Sequence, residues 1–326
     1  MRVFVTGGSG FIGRNFVEKA VSRGWSLTCL VRNREKAAWM ESLPGLRIVV
    51  GHLHAPDTYA GALEEVDYVV HLAGLTKATR VEEFYRVNSE GTRVFSQTVA
   101  DSGREVKKAL LVSSLSVAGP ATSKKPAREE SPPEPITHYG RSKLEGERHF
   151  TEILTRIPTV VIRPPVVYGP GDRDVFLYFR MAKRGLILFS GRLEMELSLI
   201  HVEDLTEAII RALLARESDG KTYYVSDGEV HQVGEVFGEL LKIAGRGKVV
   251  LLPPLAGRVA GRVGDILSRF LGKPALVNSD KVKEALAEGW VCDSGKIERE
   301  LGFTPRIDIS RGLRETWEWY LQEGWL

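Results

Sequence analysis

Short apolar runs alternate with longer amphipathic stretches through the first half of the chain. The apolar runs predict strands over residues 3–6, 26–31, 46–50, 67–72, 108–113 and 159–162. The stretches between them predict helices over residues 11–20, 81–100 and 138–155. Strands that alternate with helices of this length form a parallel, doubly wound sheet. We therefore expect an α/β domain over residues 1–168.

The pattern changes from Gly169, where a turn begins and the alternation loosens. A strand pair is predicted near 187–199, and residues 222–225 predict a strand that returns to the main sheet. Helices are predicted near 175–184 and over 202–215, 232–244, 255–271, 278–287 and 310–322. We expect residues 169–326 to form mainly a smaller, substrate-binding C-terminal lobe.

The stretch 255–271 is strongly amphipathic. Its apolar face carries Val259, Val263, Ile266, Leu267 and Phe270, with arginines elsewhere on the helix. This pattern predicts packing over the substrate cleft or the core. A helix that lies on a membrane surface is the alternative, given the basic residues.

Composition changes this picture little. Of the 326 residues, 43% are hydrophobic and 27% are charged, as is usual for a soluble protein with a large core. The net charge of +3 is small and scattered, so no nucleic-acid partner is expected. Cys29 and Cys292 suggest neither a disulfide framework nor a metal site. No apolar run approaches the ~20 residues of a membrane span, and the chain starts directly in a strand, so we expect no stable membrane insertion and a cytoplasmic location.

Glycines at Gly7, Gly10 and Gly13 follow the first strand and lead into the first helix, which opens with Phe11 and Ile12. In the dinucleotide-binding (Rossmann) fold such glycines allow a sharp turn, a close approach to a pyrophosphate and tight packing of helix on strand. The helix N-terminus then presents free N–H groups to the phosphates. The stretch predicts the phosphate-binding part of a dinucleotide site.

The end of the second strand bears on the choice of cofactor. An acidic residue there normally binds the ribose of NAD, but this chain has Val31 followed by Arg32, with Arg34 close by. A charge-assisted hydrogen bond of roughly 1.5–3 kcal/mol to a 2′-phosphate favours NADP by about ten- to a hundredfold. NADP(H) is therefore the favoured cofactor and NAD(H) the alternative.

Three residues form a candidate catalytic group. Tyr139 and Lys143 share one face of a predicted helix, and Ser114 follows the fifth strand, at the sheet edge where α/β proteins bind ligands. A free tyrosine titrates near ~10, and a neighbouring ammonium group would lower that pKa. Tyr139 then exchanges a proton with the substrate, Lys143 assists it, and Ser114 hydrogen-bonds the substrate oxygen.

The chain resembles the extended short-chain dehydrogenases/reductases over nearly its whole length. The ordered motifs are TGGSGFIG (6–13), HLAG (71–74), VNSEGT (87–92), SSLSVAG (113–119), YGRSK (139–143), RPPVVYGPGD (163–172) and IHVEDL (200–205). The resemblance implies catalytic roles for Ser114, Tyr139 and Lys143. It implies cofactor contacts, besides the glycine-rich turn, Arg32, Tyr139 and Lys143, from Leu53, Leu72, Ala73, Asn88, Pro164 and Val166. It implies substrate contacts from Thr76, Ser116 and Tyr168, and a homodimer through helices 84–100 and 138–155.

Departures from the family pattern narrow the function. His52 replaces an aspartate near the adenine, and Val166 replaces an asparagine that grips sugar diphosphates in many epimerases. Residues 196–199 lack a phosphate-binding arginine, and Leu115 with Ser116 replaces the Asp-Glu pair of sugar dehydratases. The resemblance is thus nearer to dihydroflavonol reductases and 3β-hydroxysteroid dehydrogenases, which implies an NADP-dependent oxidoreductase acting on a secondary alcohol or carbonyl of a small molecule. A nucleotide-sugar 4-epimerase is the alternative, and a catalytically idle NADP sensor is a third hypothesis.

Overall fold

The computed structural model describes residues 1–103, 105–275 and 277–326. Its strands are β1 (Arg2–Thr6), β2 (Ser26–Val31), β3 (Leu46–Val50), β4 (Tyr68–His71), β5 (Lys108–Val112), β6 (Thr159–Arg163), β7 (Val166–Tyr168), β8 (Leu186–Phe189), β9 (Glu196–Leu197), β10 (Leu199–His201), β11 (Lys221–Tyr224), β12 (His231–Gln232), β13 (Lys248–Leu251) and β14 (Gly289–Trp290). Its helices are α1 (Phe11–Ser22), α2 (Ala60–Leu63), α3 (Val81–Phe84), α4 (Gly91–Asp101), α5 (His138–Ile153), α6 (Phe176–Lys183), α7 (Val202–Leu214), α8 (Val233–Ile243), α9 (Pro254–Leu271), α10 (Ser279–Leu286), α11 (Gly295–Leu301) and α12 (Ile309–Gln322).

Within the described residues, seven strands form one parallel sheet in the order β3-β2-β1-β4-β5-β6-β11. The predicted doubly wound α/β fold is confirmed, and the predicted return strand pairs with β6 as β11. Phe16 of α1 and Ile209 of α7 pack on one face of the sheet, while Phe95 of α4 and Phe150 of α5 pack on the other. Helices on both faces explain why the central strands are apolar throughout.

Two local predictions differ from the structure. The helix expected over 81–100 is interrupted by a π-helical segment, Tyr85–Glu90, between α3 and α4. The strand pair expected near 187–199 does not form, because β8 pairs in parallel with β13 while β9 lies between β12 and β14. Strands of two to four residues carry too few alternating positions to reveal their partners.

A second apolar cluster lies in the C-terminal part. Phe179 of α6, Phe237 of α8 and Tyr320 of α12 are buried in it. However, two elements of residues 169–326 belong with the main sheet: α7 packs on one of its faces, and β11 is its edge strand next to β6. The division at residue 168 stays a prediction.

Helix α9 corrects the packing predicted for its apolar face. Val259 is 53% exposed, Ile266 53% and Phe270 85%, so that face points outward. The buried side of the helix consists of small residues, Gly257, Gly261, Gly264 and Ser268. A Cβ at Gly261 would lie 3.1 Å from Val282 of α10, so the glycines allow a close approach that larger side chains would prevent.

Candidate active site

The glycine-rich turn joins β1 to α1 and is shaped for close approach. Gly7 has φ +73°, and a Cβ there would lie 2.5 Å from the backbone nitrogen of Ala73. A Cβ at Gly13 would collide with the carbonyl oxygen of Gly7. Gly10 is the N-cap of α1 and has no side chain that could accept a hydrogen bond. The first N–H groups of the helix are therefore not capped by a side chain of Gly10. This turn fits the pyrophosphate of a dinucleotide. Phe11 and Ile12 follow it half-buried.

The two arginines after β2 differ in what they contact. Arg34 forms an exposed ion pair with Glu41 at 2.8 Å. Arg32 is exposed, and within the described part of the chain it has no ion-pair partner. Of the two, Arg32 is therefore the guanidinium group that remains available for an anion.

His52 lies close enough to Arg32 for the two groups to interact. Burial lowers the pKa of His52, and the charges of His54 and Arg32 lower it further. The His52 and His54 rings stack with centroids 5.3 Å apart. A neutral imidazole thus stands where the family pattern has an aspartate, and it leaves the positive charge of Arg32 uncompensated. Leu53 follows it, buried against Gly91.

The end of β4 is fixed by a buried histidine. His71 contacts the hydroxyl of Thr6 at 2.5 Å and that of Thr92 at 3.0 Å. Burial lowers its pKa to about 3, so the imidazole stays neutral. Thr6 in turn accepts a hydrogen bond from the Ala73 backbone at 3.2 Å. This network holds Leu72 and Ala73, both half-buried, against the glycine-rich turn.

Ser114 and Tyr139 meet at the carboxyl end of β5. Ser114 begins a short turn in which its Oγ accepts a hydrogen bond from the Ser116 backbone at 3.1 Å. Tyr139 lies in the first turn of α5, which Thr137 caps by accepting from the Gly140 backbone at 3.0 Å. Burial raises the pKa of the Tyr139 phenol, and the nearby Ser114 hydroxyl lowers that pKa only in part. The phenol therefore holds its proton at neutral pH and can donate it.

Lys143 is buried beneath the site. Its Nζ donates to the carbonyl oxygen of Val112 at 2.8 Å, and burial lowers its pKa to about 8. Among the charges around the Tyr139 phenol, Lys281 of α10 lowers its pKa, whereas Glu284 and Asp174 raise it. A Cβ at Gly74 would lie 3.6 Å from the Lys143 Nζ, so the amine lies beside the loop after β4.

Asn88, in the π-helical segment, ties this loop to α5. Its Oδ1 accepts from the Leu75 backbone at 2.7 Å, and its Nδ2 donates to the Leu75 carbonyl and to Ser142 Oγ, each at 3.0 Å. Widened helical turns of this kind occur frequently at functional sites. The amide is fully engaged in these contacts, so its role here is to position the loop and α5 relative to each other.

The strand β6 and the loop after it carry two further predicted residues. The Pro164 carbonyl accepts a hydrogen bond from the Leu115 backbone at 2.7 Å, next to Ser114. Val166 is 40% exposed and pairs with Leu199 in β7 and β10. Arg163 at the end of β6 does not face a ligand, because it is buried against Glu147 and Tyr224.

The predicted substrate residues separate in the structure. Ser116 is half-buried beside Ser114. Thr76 is exposed and donates to Asp174 at 3.2 Å. Tyr168 is 2% exposed and lies against His201 and Gly312, so its hydroxyl does not reach an open cleft. The structure thus brings Ser116 to the Ser114–Tyr139 pair and leaves Tyr168 in the core.

Charged groups around Tyr139 were missed at the sequence level. Asp174 pairs with Lys77 at 2.5 Å, and its charge raises the pKa of Tyr139. Lys281 pairs with Glu284 at 2.7 Å, and its charge lowers that pKa. These residues come from a loop and from α10, both distant in sequence from Tyr139, and no local motif marks them.

Metal sites and membrane spans are absent from the described part of the chain. Among the described residues, no cluster of His, Cys, Asp and Glu side chains could hold a metal ion. In the same part of the chain, no helix is both long and apolar enough to span a bilayer.

Comparisons with known proteins identify the family of the chain. The model of the NAD dependent epimerase/dehydratase family matches residues 3–226. Ceramide reductase of Caulobacter vibrioides is 27% identical and covers 99% of this chain and 96% of its own length. The 4-hydroxy-2-methyl-3-oxo-4-farnesyl-3,4-dihydroquinoline-1-oxide ketoreductase of Stigmatella aurantiaca is 29% identical, over 96% of this chain and 95% of its own. The solved structure of dTDP-glucose 4,6-dehydratase from Streptomyces venezuelae, with NAD bound, is 25% identical with a TM-score of 0.82, covering 100% of this chain and 98% of that one.

Proposed function

The chain belongs to the NAD dependent epimerase/dehydratase family, and from that premise we propose that it is an NADP(H)-dependent oxidoreductase that interconverts a ketone and a secondary alcohol. The observation that carries this proposal is that Ser114, directly after the carboxyl end of β5, and a protonated Tyr139, in the first turn of α5, lie near each other. That edge also holds the glycine-rich turn, because β1 and β5 run parallel on either side of β4. A proton donor therefore stands next to the dinucleotide site.

The side chains divide the chemistry among them. When bound, the nicotinamide cofactor supplies the hydride. Ser114 orients the carbonyl oxygen by donating a hydrogen bond, and Tyr139 gives that oxygen its proton. Lys143, with a pKa of about 8, carries a positive charge at neutral pH and holds the ribose side of the site. Asn88 holds the loop after β4 against α5 by hydrogen bonds to both.

The preference for NADP rests on Arg32. Its guanidinium group is exposed and unpaired in the described part of the chain, whereas Arg34 is engaged by Glu41. Beside it, His52 has a lowered pKa and brings no negative charge. A 2′-phosphate would meet one free cation and no carboxylate from these positions. NAD, which lacks that phosphate, gains nothing from Arg32.

The substrate we propose is uncharged and largely apolar. Val166, at the position where many epimerases have a diphosphate-binding asparagine, pairs with Leu199, which ends the stretch 196–199 that lacks their arginine. Glu196, nearby in sequence, is held by Ser123, and a carboxylate would repel a diphosphate. The names of two relatives point the same way, since they describe reduction of a ceramide and of a farnesyl-bearing quinoline.

A cofactor-oxidation assay tests the proposal. We expect the purified chain to oxidise NADPH in the presence of apolar ketones, faster than NADH at equal concentrations. The proposal is contradicted if no ketone in the panel leads to oxidation of NADPH and the chain instead converts a nucleotide sugar to its epimer.

The second candidate is a nucleotide-sugar 4-epimerase. It is favoured by the family's description and by the likeness to a dTDP-glucose 4,6-dehydratase with NAD bound. Such an enzyme returns its hydride to the substrate, so its cofactor undergoes no net change. Cofactor that remains bound through purification, with sugar epimers as products, would establish this function instead.

A further inference from the structure

The outward face of α9 is apolar over its whole length. Leu255 is 70% exposed, Val263 48%, Leu267 49% and Phe270 85%. A side chain every third or fourth residue on one face of a helix forms a continuous ridge. Since the opposite face of α9 packs through glycines against the body of the protein, the helix is anchored and cannot turn this ridge inward.

A row of basic residues runs along one flank of the ridge. Arg258, Arg262 and Arg269 are spaced four and seven apart, so they share one side of α9, and each is exposed. None of these guanidinium groups has an ion-pair partner among the described residues. Asp265 stands in the same row, but its carboxylate is directed to Ser279, from whose backbone it accepts at 3.3 Å.

We infer that α9 docks on an anionic lipid bilayer surface, with its axis in the plane of the membrane. Apolar side chains on one face and arginines at its edge match the two parts of that surface, the acyl chains and the phosphates. A second copy of this chain fits the same face less well, because a two-fold contact between antiparallel α9 helices would bring two rows of arginines together. The helix is not apolar enough to span a membrane, and docking on the surface requires only its apolar face and its arginines.

This orientation places the membrane next to the candidate active site. Helix α10 packs against α9 through Val282, and its Asp280 accepts a hydrogen bond from the backbone of His138, the neighbour of Tyr139, at 2.9 Å. One helix therefore separates the docked face from the proton donor. A lipid-soluble ketone would reach the site directly from the bilayer, a consequence that rests on the proposed function, whereas the docking itself does not.

Vesicle flotation tests the docking without any turnover. We expect the purified chain to float with vesicles of phosphatidylcholine and phosphatidylglycerol, and to float much less with phosphatidylcholine alone or at high salt. Val259→Glu/Phe270→Glu should weaken binding by about tenfold or more, because two carboxylates would replace apolar side chains that insert among the acyl chains. Leu214→Glu is the matched control, since Leu214 is 51% exposed on α7, and it should bind as the native chain does.

A second variant examines the charges. Arg258→Gln/Arg262→Gln should lose most of the difference between the two vesicle compositions. Circular dichroism melting checks that each variant is folded, which we expect because all of the substituted side chains are exposed. The inference is overturned if the native chain stays with the soluble fraction, if Val259→Glu/Phe270→Glu floats unchanged, or if that variant converts a dimer to a monomer in the absence of vesicles.

Discussion

The ion pair between Arg163 and Glu147 anchors the end of β6 and permits a quantitative prediction. The two side chains are 9% and 7% exposed, and the guanidinium group donates to the carboxylate at 3.0 and 2.6 Å. Glu147→Gln keeps the shape and removes the charge, which leaves a buried cation without its counter-ion. Breaking a buried pair in this way costs about 3 kcal/mol or more. For a chain of this length that corresponds to a fall in Tm of about 4 °C.

Differential scanning calorimetry of the purified chain measures this effect. Glu65→Gln is the matched control, because the Arg47–Glu65 pair has a similar length of 2.9 Å but is 58% and 67% exposed. That substitution should cost less than about 1 kcal/mol. The double variant Glu147→Gln/Arg163→Met should recover part of the loss, since it buries no unpaired charge. Equal small shifts for Glu147→Gln and Glu65→Gln would refute the reasoning that burial sets the cost.

Three further predictions concern the cofactor site. Arg32→Gln should weaken NADPH binding by about ten- to a hundredfold and leave NADH binding unchanged, whereas Arg34→Gln, which breaks only the pair with Glu41, should alter neither in calorimetry. Burial lowers the pKa of Lys143 from 10.5 to about 8, so the unfolded chain binds more protons between these values. The Tm of the native chain relative to Lys143→Met should therefore rise from pH 8 towards pH 10.5, and a flat difference would contradict the buried amine. Gly13→Ala should abolish dinucleotide binding because its Cβ meets the Gly7 carbonyl, while Gly238→Ala, with open space around it, should retain binding and gain up to about 1 kcal/mol of stability.

The sequence predicts the main sheet well because its signals are local. Apolar runs such as residues 108–113 are buried on both faces of the sheet, and the glycines at Gly7 and Gly13 mark a turn that few other residues tolerate. The pairing of β8 with β13 is not predicted, because each strand has only four residues and the two lie far apart in the sequence. Pairing between short strands depends on tertiary context that no local pattern encodes.

Helix α9 shows a different limit of sequence reasoning. Its periodicity is correctly predicted, but the usual inference that the apolar face points inward is wrong. The stripe of Gly257, Gly261 and Gly264 is the packing face, because the missing side chains let the helix backbone approach its neighbours closely. At the site, the charges of Lys281 and Glu284 also act on the pKa of Tyr139, because α10 folds back over the end of α5, and no local motif predicts this.

The proton donor is the central claim of this account, and a single measurement tests it. Tyr139→Phe removes the phenol oxygen alone. Tyr68→Phe is the control, because Tyr68 begins β4 and so lies at the end of that strand away from the candidate site. With NADPH and a reducible apolar ketone, we expect the rate for Tyr139→Phe to fall by about a hundredfold or more, with NADPH affinity within a few fold of native. Tyr68→Phe should keep the native rate. An unchanged rate for Tyr139→Phe would contradict the assignment of Tyr139 as the group that donates the proton.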